Sequence, residues 1–331
     1  LNNFFIEIGP TLTRNVANVD TTYEEFLCAT TKQFNFEEIT SAHILSLLSK
    51  LCKSKATGLD KLSAKLLREY PDLIAESLTI IFNQSLLTGI FPDDWKSARV
   101  TPLYKNSGKG NNPTNYQPIS VIPVMAKVFE RVVYDQLYHY LTENRILSRY
   151  QSGFRSLHST VTALLEATDS WAMNIDRGLV NAVVFLDLKK ALDTVDHNIL
   201  LKKLQYYGIR SSCHEWFTSY LNNRTQTCQI NCSVSTSKLV KCGVPHGTVL
   251  GPLLFLLYIN DLPNCLYFSQ PRMYADDTSL TFASADLNRT SDGLNYDLDR
   301  VFIWLSANKL TLNLTKTEFV SCVEAEAINA F

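Results

Sequence analysis

No stretch of this 331-residue chain is apolar for long enough to cross a bilayer as a helix. The longest run, Val249 to Ile259, falls well short of the roughly 20 residues a span requires and reads instead as a buried helix. No signal-like leader is found either, so the expectation is an intracellular protein, in cytoplasm or nucleus, whose eight cysteines are reduced. Cys228, Cys232 and Cys242 lack a fourth ligand at finger spacing, which argues against structural zinc. Internal repeats and long linkers are missing, and with 46% hydrophobic residues the chain can bury a sizeable core in one large domain or two subdomains. Net charge is nearly missing too, at -1, which excludes a generic polyanion binder.

One sign of charge is absent locally. From Trp95 to Phe129 there is no acid, while Lys96, Arg99, Lys105, Lys109 and Lys127 are basic. Arg131, Arg145, Arg149 and Arg155 continue the bias against only Glu130, Asp135 and Glu143. A basic region of this kind suits phosphate backbones.

What is present begins with apolar periodicity. The first half reads as mainly helical, with helices expected at 41–50, 62–70, 73–87, 124–141 and 160–176. Pro123 suits the first helical position of the fourth, and Gly178 ends the fifth. The pattern then switches to a strand at 182–187, a helix at 197–207 closed by Gly208, and a strand pair near 226–231 and 238–242. A buried helix at 252–262, a hairpin, a helix at 292–308 and a strand near 317–322 follow. The last helix is expected to turn Leu294, Leu298, Val301, Phe302 and Leu305 to the core. Strands in runs interleaved with helices indicate an α+β fold.

The hairpin carries the chemistry. Arg272 to Ala275 and Thr278 to Phe282 read as its strands, leaving Asp276 and Asp277 at the tip. Asp187 lies 89 residues upstream of Asp276 and ends the apolar strand Val183-Val184-Phe185-Leu186. Two adjacent acids facing a third form a sparse oxygen cage, which suits Mg²⁺ because that ion keeps open positions for water and substrate phosphates. Such a cage suits phosphoryl transfer.

Phe185-Leu186-Asp187-Leu188-Lys189-Lys190-Ala191, the Gly243 to Pro252 segment and Tyr274-Ala275-Asp276-Asp277 occur in this order and at this spacing. With Trp95 to Lys105, Asn115 to Ser120, Gln151 to Arg155, and Asn308 to Asn313 with Lys316, the set resembles the reverse transcriptase of non-LTR (LINE-type) retrotransposons over roughly residues 50–322. The resemblance implies an α+β right-hand polymerase with fingers and palm, an antiparallel palm sheet packed on helices, and the thumb largely absent. It divides the chain into an N-terminal helical extension at 1–50, fingers at 51–180, palm at 181–322 with the core at about 95–322, and a tail at 323–331. It implies an RNA-directed DNA polymerase working on an RNA template, a DNA primer and deoxynucleoside triphosphates, with two Mg²⁺ ions that Mn²⁺ can replace.

Residue by residue, the resemblance makes Asp187, Asp276 and Asp277 the catalytic, metal-binding carboxylates, with the backbone carbonyl of Leu188 as a further ligand. Lys105 would neutralise triphosphate charge, Lys316 would protonate pyrophosphate, and Arg155 would belong to the nucleotide pocket. Pro245 and Gly247 would shape the loop on which template and incoming base rest. At three positions the chain departs from the family's usual residues. Gln117 replaces an arginine able to grip phosphate bidentately, which should weaken triphosphate affinity. Leu192 replaces an aromatic ring that excludes a 2′-hydroxyl, and His246 replaces a glutamine. These departures make an inactive remnant that binds nucleic acid without polymerising the alternative to an active enzyme.

Overall fold

The computed structural model describes residues 1–54, 56–105, 110–245 and 247–322. Lys109, His246 and the tail at 323–331 lie outside the described residues. The elements run α1 (Asn2–Arg14), α2 (Ser41–Ser49), α3 (Ala64–Glu69), α4 (Pro71–Thr88), β1 (Ser97–Tyr104), β2 (Tyr116–Val121), α5 (Val124–Glu143), α6 (Thr160–Asp176) and β3 (Val180–Leu186). They continue with α7 (Ala191–Thr194), α8 (His197–Tyr206), α9 (Ser211–Leu221), β4 (Thr225–Ile230), β5 (Ser233–Val234), β6 (Lys238–Leu239), α10 (Leu250–Ile259), β7 (Gln270–Tyr274), β8 (Asp277–Ser284), α11 (Leu287–Ala307) and β9 (Glu318–Cys322). This is the expected mixture of helix and sheet.

One compact unit gathers Leu1–Thr11, Ala29–Ile146 and Leu192–Leu254. Its sheet has the order β2-β1-β4-β5, with β6 also on β4. β1 pairs antiparallel with β2, from Arg99 opposite Val121 to Tyr104 opposite Tyr116, and parallel with β4, from Ser97 opposite Thr225 to Val100 opposite Cys228. Alternation buries Ala98 and Val100 and turns Thr101 and Leu103 outward. Phe5 of α1 packs on Val100 and Cys228, and Asn2 exchanges amide hydrogen bonds with Gln226. Aromatic rings fill the helical side: Phe82 stacks on Phe129 at 4.3 Å, and Trp216 meets Phe91 and Phe129 edge-on at 5.4 Å each.

The first half is mainly helical as expected, but β1 and β2 also lie there, against expectation. Pro102 and Pro118 stand opposite each other in this pair, and proline within a run argues against a strand when only the sequence is read. The bounds of α1 and α9 are not legible in the sequence: α1 contains Gly9 and Pro10, and Arg210 offers α9 no side-chain cap. Pro123 is the N-cap of α5 rather than its first residue.

The second unit gathers Leu12–Cys28, Leu147–Ala191 and, of the described residues, those from Phe255 onward. Its sheet has the order β7-β8-β3-β9 and is antiparallel throughout. α6 packs on one face, where Trp171 donates from Nε1 to Thr281 Oγ1 at 3.1 Å and Asn174 donates to Asn181 at 2.7 Å. α11 lies on the other face, burying Leu294, Val301, Trp304 and Leu305. Phe302, expected among them, is 55% exposed at the rim of an apolar cleft it shares with Ala182 and Val184. Asp297 of α11 accepts from the backbone N–H groups of Tyr267, Phe268 and Ser269, fixing the entry to β7.

Candidate active site

The carboxylates belong to the second unit and are set by strand register. β3 and β8 are paired up to Leu186 opposite Thr278, so one further step brings Asp187 opposite Asp277. Directly opposed residues of an antiparallel pair have Cβ atoms about 5 Å apart. Tyr274 opposite Asp277 closes the β7–β8 hairpin, leaving Ala275 and Asp276 as its two-residue loop. Asp276 alone therefore occupies the tip, and Asp277 is the first residue of β8. Ala275 has φ of +56°, the sign a II′ turn requires at its first loop residue.

Asp277 records how close the acids are. Burial raises its carboxyl pKa first, the charges of Asp276 and Asp187 raise it further, and Lys316 lowers it. The three acids and Lys316 thus share one electrostatic environment. Among the described residues, no group of three or more His, Cys, Asp or Glu side chains is drawn together in metal-ligand geometry. Convergence exists here in register and in shared field rather than in ligand distances. Three carboxylates are a donor chemistry that fits a hard divalent cation.

Asp187 is tied down from the loop after α11. Asn313 donates from Nδ2 to Asp187 Oδ2 at 2.5 Å, and its backbone N–H donates to the Asp187 carbonyl at 2.7 Å. Thr315 donates to Asn313 Oδ1 at 2.8 Å, which fixes the orientation of that amide. Leu188 bridges Leu312, and the Lys189 N–H donates to the Thr311 carbonyl at 2.8 Å. Lys316 is exposed three residues beyond Asn313, with its N–H on the Asn313 carbonyl. Arg155 donates from Nη1 to the carbonyls of Ser148 and Gln151, at 2.9 and 3.1 Å. Asn313 entered the sequence reading only as part of a motif; its partner is 126 residues away, so nothing local announces the bond.

The remaining expected residues belong to the first unit. Gln117 pairs with Leu103, and the Lys105 N–H donates to the Asn115 carbonyl at 2.9 Å, so Lys105, Leu103 and Gln117 alternate onto one exposed face of the β1–β2 hairpin. Gly247, at φ +99°, lies directly on β2: a Cβ there would stand 2.5 Å from the Ser120 carbonyl oxygen. Only glycine allows that approach. At the other end of the same loop, Val244 N–H donates to the Leu192 carbonyl at 2.8 Å and Gly243 N–H to the Val195 carbonyl at 2.7 Å. His197 sets its Nε2 2.8 Å from the Gly243 carbonyl oxygen.

In the sequence Glu130 only interrupts a basic stretch, yet in the fold it is fully buried. Its Oε2 accepts from Val249 N–H at 2.6 Å at the start of α10, and its Oε1 accepts from Tyr220 OH at 2.8 Å. Burial pushes its pKa up, opposed first by the charge of Arg224 and then by those hydrogen bonds. The first unit thus anchors both ends of the Gly243 to Val249 loop, with residues far apart in sequence.

A sequence model of the family described as reverse transcriptase (RNA-dependent DNA polymerase) matches residues 104–328. A probable RNA-directed DNA polymerase from transposon BS of Drosophila melanogaster is 30% identical over 328 residues, covering 91% of this chain and 35% of that protein. The RNA-directed DNA polymerase from the mobile element jockey of the same fly is 28% identical, covering 84% of this chain and 31% of its own length. A probable RNA-directed DNA polymerase from transposon X-element, also of that fly, is 29% identical with the same coverage of each. The chain spans about a third of the length of these curated relatives. Among the described residues no helix is long and apolar enough to cross a membrane.

Proposed function

This chain belongs to the reverse transcriptase (RNA-dependent DNA polymerase) family, and on that premise we propose that it is the RNA-directed DNA polymerase domain of a non-LTR retrotransposon. The observation that carries this reading is the register of β3 and β8, which opposes Asp187 to Asp277 beside the Asp276 turn, with the Asp277 carboxyl raised by burial and then by the other two charges. In the proposed reaction the primer 3′-oxygen attacks the α-phosphorus of a deoxynucleoside triphosphate, its proton passes to bulk water, and the bond to pyrophosphate breaks. A divalent pair, Mg²⁺ or Mn²⁺, supplies activation of the attacking oxygen and stabilisation of the leaving group when bound. Asp187, Asp276 and Asp277 would hold it, with the Leu188 carbonyl beside them.

The chain's own groups do the rest. Asn313 orients the Asp187 carboxylate through its amide. Lys316, which already lowers the Asp277 pKa, is the candidate acid for the departing pyrophosphate. Lys105 and Gln117, on one exposed face, are the candidates for handling triphosphate, and the Gly247 backbone for contact with template and base. In this reading residues 51–180 serve as fingers and 181–322 as palm. That functional division crosses the compact units, which assign 147–180 and 192–254 the other way. Template RNA, DNA primer and deoxynucleotides are the proposed partners.

Purified protein should extend a DNA primer on an RNA template when given deoxynucleotides and Mg²⁺, and Asp276→Ala should abolish extension. Salt-dependent RNA binding with no extension by the wild-type chain would reject this reading in favour of a binding-only remnant. That alternative is disfavoured by the family membership and by the complete set of carboxylates.

A further inference from the structure

The Asp276 turn is held by a side chain to which the proposed reaction gives no role. Gln151 is 2% exposed, and its carboxamide lies along the backbone of Ala275. Oε1 accepts from the Ala275 N–H at 2.9 Å and from the Gly153 N–H at 2.7 Å, while Nε2 donates to the Ala275 carbonyl at 3.2 Å. One amide thus satisfies both polar groups of the residue preceding Asp276. A carboxamide offers donor and acceptor side by side in this way without having to take up a proton.

Two backbone bonds bring Gln151 there. Met273 N–H donates to the Tyr150 carbonyl and Ser152 N–H to the Met273 carbonyl, both at 2.8 Å, so the Gln151 segment forms a parallel bridge with β7. Gly153 completes the approach, since a Cβ at that position would collide with the Ala275 backbone nitrogen. From the other side, Arg155 Nη1 grips the Gln151 carbonyl.

The need for such a clamp follows from the backbone of Ala275. Its φ of +56° is disfavoured for any residue bearing a Cβ, and this conformation persists only where its surroundings enforce it. If Ala275 relaxed, the peptide carrying Asp276 would rotate, and the Asp276 carboxylate would leave the group that Asp187 and Asp277 form by register.

We propose that Gln151 is a positioning residue that locks the Ala275–Asp276 turn and thereby presents Asp276 for divalent metal binding. This deepens the polymerase reading and rests on it for the metal, but the clamp itself is testable without activity. Gln151→Met keeps the length and removes donor and acceptor together. Hydrogen exchange of the Ala275 amide should accelerate at least tenfold in that variant. Mn²⁺ binding, read from the electron paramagnetic resonance signal of free ion, should weaken about fivefold or more. Primer extension should lose kcat while the deoxynucleotide KM stays within about twofold.

Gln151→Glu covers the case in which Gln151→Met does not fold. It retains the acceptor for both N–H groups, loses the donor to the Ala275 carbonyl, and should show the same signature at smaller size. Unchanged Ala275 exchange overturns the inference, and so does Mn²⁺ binding equal to wild type. Loss of the global fold in both variants overturns it as well, since Gln151 would then serve stability alone. A wild-type chain that neither binds Mn²⁺ nor extends a primer would instead sink the polymerase reading, with the exchange rates still deciding whether the clamp exists.

Discussion

Around β3 and β8, polar side chains beside the carboxylates are tied to backbone: Asn313 holds Asp187 through side chain and main chain, and Gln151 holds the residue before Asp276. Around β1 and β4, by contrast, Lys105 and Gln117 stand exposed on a hairpin face, and the ordered polar groups lie behind the Gly243 to Val249 loop rather than on its surface. The first arrangement fixes a few atoms by several long-range bonds; the second fixes a scaffold and leaves its surface side chains free to vary. The departures from the usual family residues follow this division. Gln117 and Leu192, the two that are described, both belong to the β1–β4 unit, while the carboxylate set is complete.

The sharpest way to break this contrast is to remove one charge from each unit. Asp187→Asn should lower kcat for primer extension by about 10³-fold or more, because the proposed ligand set loses a charged oxygen. Lys105→Ala should cost roughly 10- to 100-fold, much of it in the deoxynucleotide KM, since an exposed lysine is replaceable by solvent and counterions. Steady-state kinetics on one RNA template would compare the two. Equal losses would remove the distinction between a fixed and a tolerant half.

Gln117→Arg sharpens the same contrast in the opposite direction. Restoring a guanidinium fork on the exposed face should lower the deoxynucleotide KM by about 3- to 10-fold with kcat little changed. An unchanged KM would mean that Gln117 does not meet the triphosphate. Leu192→Phe is expected to act on sugar choice: its ring should raise the preference for deoxy- over ribonucleotides in kcat/KM about tenfold, or about 1.4 kcal/mol. Leu192 is half-buried with its carbonyl bonded to Val244, so the added bulk has a fixed backbone to stand on. Parallel extension assays with the two nucleotide types would decide it.

Much of the carboxylate half was legible from local pattern. An apolar run ending in Asp187 and a two-residue turn between short alternating strands define strand ends, and strand ends define where Asp187, Asp276 and Asp277 go. The clamps were not legible: Asn313 and Gln151 stand in motifs of the resemblance, but their partners are 126 and 124 residues away and nothing local announces those bonds. The β1–β2 hairpin was hidden by its paired prolines, and with it the face that Lys105 and Gln117 share. Glu130 illustrates the same limit: in sequence it dilutes a basic stretch, whereas in the fold it caps α10 and is closed off from solvent. Phe302 failed in the other direction, since helical spacing assigns a face but not how far the neighbouring sheet extends beneath it.

The smallest effect concerns the scaffold behind the loop, and it shows as a dependence of stability on pH. His197 sets its Nε2 2.8 Å from the Gly243 carbonyl oxygen, where burial pushes its pKa below the ordinary 6.5. The Gly243 carbonyl and Asp196 pull the other way, and Arg224 adds to the lowering, but burial is the largest influence. The unfolded chain therefore takes up the proton more readily than the folded one. Stability linked to His197 is fully present above pH 6.5 and is lost as pH falls from there through the lower folded value. His197→Gln retains a donor for the Gly243 carbonyl without a titrating ring, so its thermal midpoint should fall less between pH 7 and pH 5, by roughly 1–3 °C. Melting curves across that range would settle the point: parallel pH dependences in wild type and variant would show that His197 is not the group through which acid loosens the loop.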